Sequence, residues 1–493
     1  MANRFNSAIV ILKVAVISAS ILSSACVSSG QTINIGNMIT PLAPTPIPAP
    51  PSGRPAYAPG QLVDYTAQNG DTLPALAARF NTTVDQIMHA NPIIPTDATT
   101  MPPGFPMKIP IYYLPLWGTE YQSLPDYVFV NGPEQIGFST SAFVQSTKGW
   151  LKDYRAYAGG RMRSGAEVVD YVAMNYSVSP RFLLAILEYQ SAALTQPQKP
   201  DTKYLLGFHD DIYITPYLQL VIAANALNNG YYSWRAGKLT EFDLLDQTII
   251  RPDPWQNATS VAIQYYFSLL YSGTEYYDSI GPDGLARTYK TLFGDPWLSS
   301  PTLIPGSLQQ PSLILPFPPD QVWTYTGGPH TGWGKGEPFS AVDFAPPAEH
   351  SGCITVNPKN YAVAMADGLV VRSNVDGLAL DLDGDGDERT GWVLFYLHLA
   401  SGTRAQVGKQ LHAGDMIGYP SCEGGEVTGT HVHIARKYNG EWVLADGPLA
   451  MNLEGWVAHA GLEAYLGTFT RGPAVIKACV CSDSPSSIRS DPK

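Results

Sequence analysis

The stretch GTHVHIA, residues 429–435, places His431 and His433 two positions apart in an apolar setting. A β-strand repeats every two residues, so both imidazoles would project from the same side of a strand. A metal site needs that arrangement, but His-x-His pairs also arise by chance in ordinary strands. The rest of the chain must therefore distinguish a metal site from two structural histidines.

Composition indicates a multidomain globular protein. The chain has 493 residues, of which 45% are hydrophobic and 15% charged, and this length favours two to four domains. Its formal net charge of −12 argues against nucleic acid as the main partner, because phosphate binding requires a basic face. A neutral glycan would not be repelled by that charge.

The N-terminus, residues 1–26, has the pattern of an export signal, with a short basic start, an apolar run and then small residues. The run is interrupted by Lys13 and is short for a stable membrane span. Its end resembles a bacterial lipoprotein box in which Cys26 would carry the lipid, although Leu22 lies one place further from the cysteine than is usual. We therefore expect an exported envelope protein anchored to the membrane by lipid. Simple cleavage after Ala25 is the alternative.

Residues 27–62 are rich in Pro, Ser and Ala, which predicts an extended, semi-rigid spacer. Residues 63–111 follow as a small unit. Asp71 or Thr72 can start one helix, and Thr82 or Thr83 a second. Short strands on either side would complete a β-α-α-β fold.

This unit resembles a LysM domain, a binder of N-acetylglucosamine-containing glycans such as peptidoglycan and chitin. The similarity lies in the Gly70-Asp71-Thr72-Leu73 turn, in Asn91 after the second helix, and in the closing Pro-Gly and Ile-Pro pairs. The resemblance implies a sugar site between Gly70–Leu73 and the loop after Asn91. A packing module without a ligand is the alternative.

Residues 136–300 are predicted to form a mostly α-helical domain rich in Tyr. Ser164-Gly-Ala-Glu167 is a capping box, and Ser179-Pro180 begins the helix FLLAILEYQS. The order of segments loosely resembles the lysozyme-like transglycosylase fold, in which a helix ends in a catalytic Glu followed by Ser. Gln190 stands at that position here, and an amide cannot protonate a glycosidic oxygen.

The middle domain is therefore expected to be non-catalytic. A helical spacer of unrelated fold is an alternative, and so is a glycosidase that uses Glu188, two residues away on another face of the helix. Residues 301–320 are again Pro-rich and are predicted to be a linker. We expect a β-rich domain over residues 321–472 and a tail over residues 473–493.

Seven of the nine histidines lie between residues 330 and 459. A catalytic zinc site usually takes three protein ligands and leaves a fourth position open. The candidates in apolar, Gly-punctuated segments are His330, Asp343, His398, His431 and His433. One such histidine would more often be structural, but five residues of this kind favour a metal site.

This order of residues resembles the lysostaphin/LytM-type zinc metallopeptidases, which have an all-β duplicated-hybrid-motif fold. The resemblance covers roughly residues 322–470. Most members place the first His four residues before the Asp, where this chain has Phe339. The staphylolysin/β-lytic endopeptidase branch places it thirteen residues before, after Gly-x-His, and Gly328-Pro-His330 stands thirteen residues before Asp343.

The resemblance implies one Zn²⁺ per chain, held by His330, Asp343 and His433. His398 and His431 are then catalytic histidines that do not bind the metal. One would take a proton and the other would stabilise the oxyanion.

The five cysteines bear on the compartment and on pairing. That branch also has a disulfide cysteine nine residues before His-x-His, which is Cys422 here, and its expected partner is Cys353. The export signal favours this disulfide over zinc ligation by the same two residues. Cys479 and Cys481 are two apart, so a bond between them would be strained, and they are expected to be free or to pair with another chain.

The run Asp381-Leu-Asp-Gly-Asp-Gly-Asp387 partly matches a calcium loop. Its twelfth position would be Trp392 rather than Glu, so the EF-hand pattern fails. A solvated hairpin tip that takes up Ca²⁺ opportunistically is the expectation.

These observations predict an exported peptidoglycan hydrolase that LysM holds at the wall and whose zinc domain cuts a peptide bond of the stem or cross-bridge. The branch resemblance favours cuts beside glycine. Two alternatives stay open: a non-catalytic wall-binding activator of another hydrolase, and a glycosidase acting through the helical domain.

Overall fold

The LysM-like unit has the predicted β-α-α-β order. The computed structural model describes residues 54–112, 118–350, 352–479 and 484–492. The unit consists of β1 Gln61–Thr66, α1 Leu73–Arg79, α2 Val84–Ala90 and β2 Pro106–Ile111. Thr72 caps α1 and Thr83 caps α2, each accepting a hydrogen bond from a backbone N–H of the first turn. The two strands pair antiparallel with Gln61 opposite Ile111, so the predicted helix starts and strands are confirmed.

The middle of the chain is helical, with two small hairpins. The helices are α3 Thr140–Gln145, α4 Gly165–Tyr176, α5 Pro180–Ser191, α6 Pro216–Arg235, α7 Ala258–Ser268, α8 Gly273–Ile280 and α9 Leu285–Phe293. The hairpins are β3 Arg155–Ala158 with β4 Arg161–Ser164, and β5 Phe242–Asp243 with β6 Ile249–Ile250. Ser164 and Glu167 form the predicted capping box, and Ser179 caps α5 with Pro180 in its first turn.

The C-terminal region is rich in strands. They are β7 Val322–Thr331, β8 Phe339–Ala345, β9 Ala362–Val363, β10 Gly368–Asn374, β11 Gly377–Asp381, β12 Trp392–Leu397, β13 Gln410–Leu411, β14 Met416–Gly418, β15 Val432–Tyr438, β16 Glu441–Trp442, β17 Asn452–Leu453, β18 Trp456–Ala460, β19 Gly467–Arg471, β20 Ala474–Lys477 and β21 Ser487–Arg489. The main sheet has the order β13-β10-β11-β12-β15-β8-β7-β21, and β16 pairs with β15. A second sheet has the order β17-β18-β19-β20, and β9 pairs with β14. The strand carrying His433 thus lies centrally, between β12 and β8.

One face of the main sheet packs against the helical region. Phe395 of β12, Ala435 of β15 and Trp442 of β16 are buried in the same cluster as the helical core. The Trp442 amide donates to the Tyr232 hydroxyl of α6 at 3.1 Å. The helical region therefore packs directly against the strand-rich region and is not a detached module.

Two expected segments differ from the sequence prediction. Residues 301–320 are not a bare linker, because Leu313, Leu315 and Phe317 are buried in the core of the strand-rich region. Residues 473–493 are not a tail, because they contribute β20, which pairs with β19, and β21, which pairs with β7. Both expectations are wrong because the composition of a segment does not determine which distant segments it contacts.

The predicted export signal and the lipidation position Cys26 lie outside the described residues. Within the described part of the chain, no helix is both long enough and apolar enough to cross a membrane. The lipid anchor stays a prediction.

Candidate metal centre

Three neighbouring strands bring the predicted ligands together. His433 of β15 lies directly opposite Asp343 of β8 in the antiparallel register. His330 comes from β7, whose register against β8 shifts between Gly327 and His330 and again before Thr331. These irregularities turn His330 towards the Asp343 side chain. All three residues are buried, and their ligand atoms lie within 4.8 Å of one another.

The three atoms have the spacing of a coordination tetrahedron. Asp343 Oδ1 lies 3.3 Å from His330 Nε2 and 3.2 Å from His433 Nδ1, and the two nitrogens are 3.0 Å apart. Zinc holds such ligands at about 2.0–2.1 Å, so adjacent ligand atoms of a tetrahedral site are roughly 3.3 Å apart. The His330, Asp343 and His433 side chains therefore fit one Zn²⁺ ion.

The other ring nitrogens of the two histidines determine what these atoms can offer. His330 Nδ1 lies 2.8 Å from the Gly328 carbonyl, and His433 Nε2 lies 3.2 Å from the Gly332 carbonyl. A carbonyl only accepts, so in each neutral ring this nitrogen carries the hydrogen and the inward nitrogen presents a lone pair. Two lone pairs facing each other repel unless a cation lies between them. Asp343 Oδ1 is also buried without a hydrogen-bond partner, as expected for a ligand atom.

Electrostatics keep the ligands in the protonation states that a metal requires. Burial opposes ionisation of Asp343, but the surrounding imidazoles of His330, His431 and His433 favour its negative charge and lower its pKa well below the usual range. Burial lowers the pKa of His433, against the attraction of Asp343. The carboxyl group is therefore ionised and the His433 imidazole neutral near pH 7.

The structure places the two other predicted histidines beside this cluster. Their rings are 4.5 Å apart, and His431 Nε2 lies 3.7 Å from Asp343 Oδ1. His431 Nδ1 contacts the Gly429 carbonyl at 2.7 Å, and His398 Nδ1 contacts the Glu423 carbonyl at 2.9 Å. Both rings thus keep Nε2 as the acceptor.

His398 is held in an uncommon state. Burial, followed by the proximity of His431 and His433, lowers its pKa to about 3, so it is neutral at physiological pH. Its φ of 61° lies in the left-handed region, where a non-glycine residue is strained. The backbone N–H of Ser421 donates to the His398 carbonyl at 2.7 Å and helps to hold this conformation.

The predicted Cys353–Cys422 disulfide is present. It anchors the segment that supplies the Glu423 carbonyl to His398. Cys479 is also disulfide-bonded, so the expectation that it is free is wrong. Cys481 lies outside the described residues.

Sequence reasoning missed Tyr465. Its ring stacks on His330 with centroids 4.1 Å apart, and its backbone carbonyl accepts a hydrogen bond from the Gly328 N–H at 2.8 Å. It adopts φ 69° in the loop between β18 and β19. A tyrosine 135 positions after His330 carries no local sequence signal, so only the fold brings the two together.

Two residues near the ligands, Gly327 and Phe339, have structural roles. A Cβ atom at Gly327 would collide with the Asp343 carboxylate, so only glycine lets β7 pass this close. Phe339 contributes no ligand and instead lies under the Lys238 ammonium, 4.5 Å from its ring.

Side chains of the predicted glycan residues largely support the fold. The Asp71 carboxylate is buried and accepts from Arg79 at 2.7 Å, from Tyr65 at 2.6 Å and from the Gln68 N–H at 2.7 Å. Asn91 exchanges hydrogen bonds with the Lys108 backbone. Thr72 is the cap of α1, Leu73 is buried, and only Gly70 among the five presents backbone alone. Their role in glycan binding stays a prediction.

The acidic loop at Asp381 and the carboxylate of Glu188 both have hydrogen-bond partners within their own segments. Asp381, Asp383 and Asp385 lie close enough to share a cation, but Asp381 already accepts from the N–H groups of its own loop, and Ca²⁺ binding stays a prediction. The Glu188 carboxylate accepts from the Leu194 N–H at 2.7 Å and from the Thr195 hydroxyl at 2.6 Å. It therefore closes the loop after its own helix, which does not favour a glycosidase.

Family comparisons agree with this architecture. A LysM domain model matches residues 65–110, and a model described as the LasA N-terminal domain matches residues 122–306. The helical region thus resembles the LasA N-terminal domain, and a lysozyme-like arrangement stays a prediction. These matches support the resemblance to a LytM-type peptidase with a LysM domain that the sequence predicted.

The similar curated proteins are two forms of protease LasA from Pseudomonas aeruginosa. The form from strain UCBPP-PA14 is 25% identical over 324 residues, which covers 60% of this chain and 72% of LasA. The form from strain PAO1 is 24% identical over the same shares of each chain.

Similar solved structures include a deep-sea M23 metalloprotease, pseudoalterin, with 23% identity and a TM-score of 0.29, covering 34% of this chain and 96% of pseudoalterin. The catalytic domain of lysostaphin from Staphylococcus simulans is 21% identical with a TM-score of 0.18, covering 25% of this chain and 87% of that domain. At these TM-scores the two matches support no conclusion about function.

Proposed function

We propose that this chain is an exported peptidoglycan hydrolase, a zinc-dependent endopeptidase that cleaves peptide bonds of the stem peptide or cross-bridge and is carried to the wall by its LysM unit. The observation that carries the proposal is the buried cluster of His330, Asp343 and His433, in which two imidazole lone pairs and one carboxylate oxygen without a hydrogen-bond partner converge. The similarity to protease LasA supports a peptidase.

His330 Nε2, Asp343 Oδ1 and His433 Nδ1 would hold the metal. When bound, Zn²⁺ supplies Lewis-acid chemistry, acidifying water and polarising a carbonyl group. The Gly328 and Gly332 carbonyls keep the two imidazoles in the tautomers that ligation needs.

His431 and His398 carry the proton transfers in this proposal. Each Nε2 is an acceptor, because each Nδ1 hydrogen is directed to a backbone carbonyl. One ring accepts the proton of the attacking water at Nε2 and can then donate it to the leaving amine. The other ring would take a proton from bulk water at Nε2 and then donate a hydrogen bond to the developing oxyanion.

Substrate would approach from the side of His431 and Tyr465. The His431 side chain is 15% exposed, whereas those of His330 and Asp343 are 2% and 8% exposed. Tyr465 is exposed over 49% of its surface and forms the edge of the site beside His330.

The experiment is a digest of purified peptidoglycan with and without a zinc chelator, in which new amino termini and new reducing ends are counted together. We expect amino termini that disappear with the chelator. Reducing ends that persist with the chelator would indicate a glycosidase. Neither product, from protein that contains no zinc, would indicate a non-catalytic activator and would overturn the proposal.

A further inference from the structure

A segment of the chain itself fills the groove of the LysM unit. The groove lies between the loop before α1, residues 68–72, and the loop before β2, residues 98–102. The occupant is residues 301–308, PTLIPGSL, here named the plug segment. This groove coincides with the sugar site that the LysM resemblance predicts.

The loop before α1, one lip of the groove, binds the plug segment through the Asn69 side chain. Its side-chain Nδ2 donates to the Pro301 carbonyl at 3.2 Å, and its Oδ1 accepts from the Leu303 N–H at 2.9 Å. A single amide side chain thus pairs with both backbone groups of an extended peptide. This is how a strand-like ligand is held in a groove.

The loop before β2, the opposite lip, binds the plug segment through Thr99 and Thr100. The Thr100 hydroxyl donates to the Pro305 carbonyl at 2.7 Å and accepts from the Leu308 N–H at 3.0 Å. The Ser307 N–H donates to the Thr100 carbonyl at 2.8 Å, and the Thr99 hydroxyl donates to the Leu308 carbonyl at 2.6 Å. The two lips together satisfy the polar backbone of the plug segment along most of its length.

Apolar contacts also hold the plug segment in the groove. Leu303, Ile304 and Leu308 are each at least 93% buried. A Cβ atom at Gly70 would come within 2.7 Å of Arg235 Nη1 and 3.2 Å of Ile304 Cδ1, so Ile304 and the Arg235 side chain of α6 both lie on the turn expected to contact sugar. No glycan can reach that turn while these two side chains are in place.

On the side away from the LysM unit, the plug segment contacts the strand-rich C-terminal region. Leu303, Ile304 and Leu308 pack with Trp392, Tyr438 and Leu449. Asn439 Nδ2 donates to the Leu303 carbonyl at 2.7 Å. Asn439 directly follows β15, the strand that supplies His433, so the segment bridges the LysM groove and the hairpin next to the metal-site strand.

The chemistry of the groove suits a neutral N-acetylated sugar. Its contacts with the plug segment are made by an amide, two hydroxyls and backbone groups, with no ionic partner among them. An N-acetyl group offers the same N–H donor and carbonyl acceptor as a peptide unit. The plug segment therefore occupies the groups that such a sugar would use.

We propose that the plug segment is an internal competitor of the glycan: an N-acetylglucosamine-containing chain binds the LysM groove only as residues 301–308 leave it. This inference rests on the proposed glycan-binding role of the LysM unit. Its consequence is that free protein binds glycan weakly and that wall contact loosens the junction beside β15.

The test measures binding of the N-acetylglucosamine hexamer to the full chain by calorimetry. Ile304→Asp places a charge in the apolar seat and leaves every LysM residue unchanged, and Thr302→Asp is the matched control at an exposed position of the same segment. If the groove is open in about a tenth of the molecules, freeing it tightens the apparent Kd about 10-fold. We expect this tightening for Ile304→Asp and no change for Thr302→Asp.

A second measurement does not depend on a folded variant. Hydrogen exchange of residues 301–308 in the wild-type chain should accelerate when the hexamer is added, because the Leu303, Ser307 and Leu308 amides lose their acceptors. Equal hexamer affinity in all three proteins, with exchange unchanged on binding, would overturn the inference and leave glycan binding intact. Absence of hexamer binding in all three proteins would overturn the LysM role itself and, with it, the competition.

Discussion

His330 Nε2 and His433 Nδ1 lie 3.0 Å apart, although neither nitrogen has a hydrogen to share. Their outer nitrogens face the Gly328 and Gly332 carbonyls, which take the one hydrogen that each neutral ring carries. Such a pair is stable only around a cation, and Asp343 Oδ1 completes the set of donors.

Replacement of a ligand should remove the metal. His433→Ala deletes one of three donors, so we expect loss of bound zinc and a fall in peptide-bond cleavage beyond the roughly 10–100-fold that loss of a ligand's outer partner costs. Zinc is measured by mass spectrometry on the dialysed protein. His412→Ala, at an exposed histidine, is the control and should keep both zinc and activity. Full zinc content in His433→Ala would contradict the assignment.

His398 should affect turnover without affecting metal content. His398 lies beside the ligands but contributes no ligand atom to the metal site. His398→Gln should therefore keep one zinc and lower kcat by about 10²–10⁴-fold, the usual contribution of general acid–base catalysis. Zinc content and the rate of amino-terminus release are measured on the same sample. Zinc lost in parallel with activity would make His398 a ligand instead.

Tyr465 should support the ligand His330 through its ring. Tyr465→Leu removes the stacked face, so we expect zinc affinity to fall about 10-fold, whereas Tyr465→Phe keeps the ring and the affinity. Competition with a fluorescent chelator gives both constants. Identical affinities for Leu and Phe would show that the stacking is incidental.

The Cys353–Cys422 disulfide should support both stability and catalysis. It closes a loop with a sequence separation of 69, and such a crosslink contributes about 4 kcal/mol through the unfolded chain. Cys422→Ser should lower the melting temperature, and it should lower kcat because the neighbouring Glu423 carbonyl orients His398. Cys353→Ser breaks the same bond and should match it. An unchanged kcat in both would separate the disulfide from the site.

Lys437 should make the free energy of unfolding depend on pH in the alkaline range. Burial is the main cause that lowers its pKa to about 8, whereas in the unfolded chain the pKa is near its ordinary 10.5. Between these values the unfolded state binds more protons, so stability rises with pH from about 8 to about 10.5. Lys437→Met should lose this rise and gain up to about 3 kcal/mol at pH 7. Thermal melts across pH test it, with exposed Lys409→Met as the control.

Much of the candidate site could be predicted from local pattern. Thr72, Thr83, Ser164 and Ser179 start helices where their capping chemistry indicated. His431 and His433 are two apart on one strand, and the spacing of His330 from Asp343 marked the branch. These signals lie within short stretches of chain, where hydrogen-bonding and side-chain period determine the outcome.

The rest depended on contacts between distant segments. Tyr465 reaches His330 only because the β18–β19 loop folds onto β7. The plug segment looked like a linker because Pro-rich composition gives extended backbone, yet its three apolar side chains find partners in other domains. β21 cannot be predicted locally, because Ser-Ile-Arg has no strand signal without β7 beside it. Local composition carries no information about such partners.

Zinc-edge X-ray absorption of the full chain, purified with one equivalent of zinc, tests the metal site at His330, Asp343 and His433. We expect a four-coordinate site of nitrogen and oxygen donors at about 2.0–2.1 Å, with the multiple-scattering signature of two imidazoles. A sulfur shell at about 2.3 Å, or a site without imidazole, would contradict it. Retention of the same spectrum in His433→Ala would place the metal elsewhere in the chain.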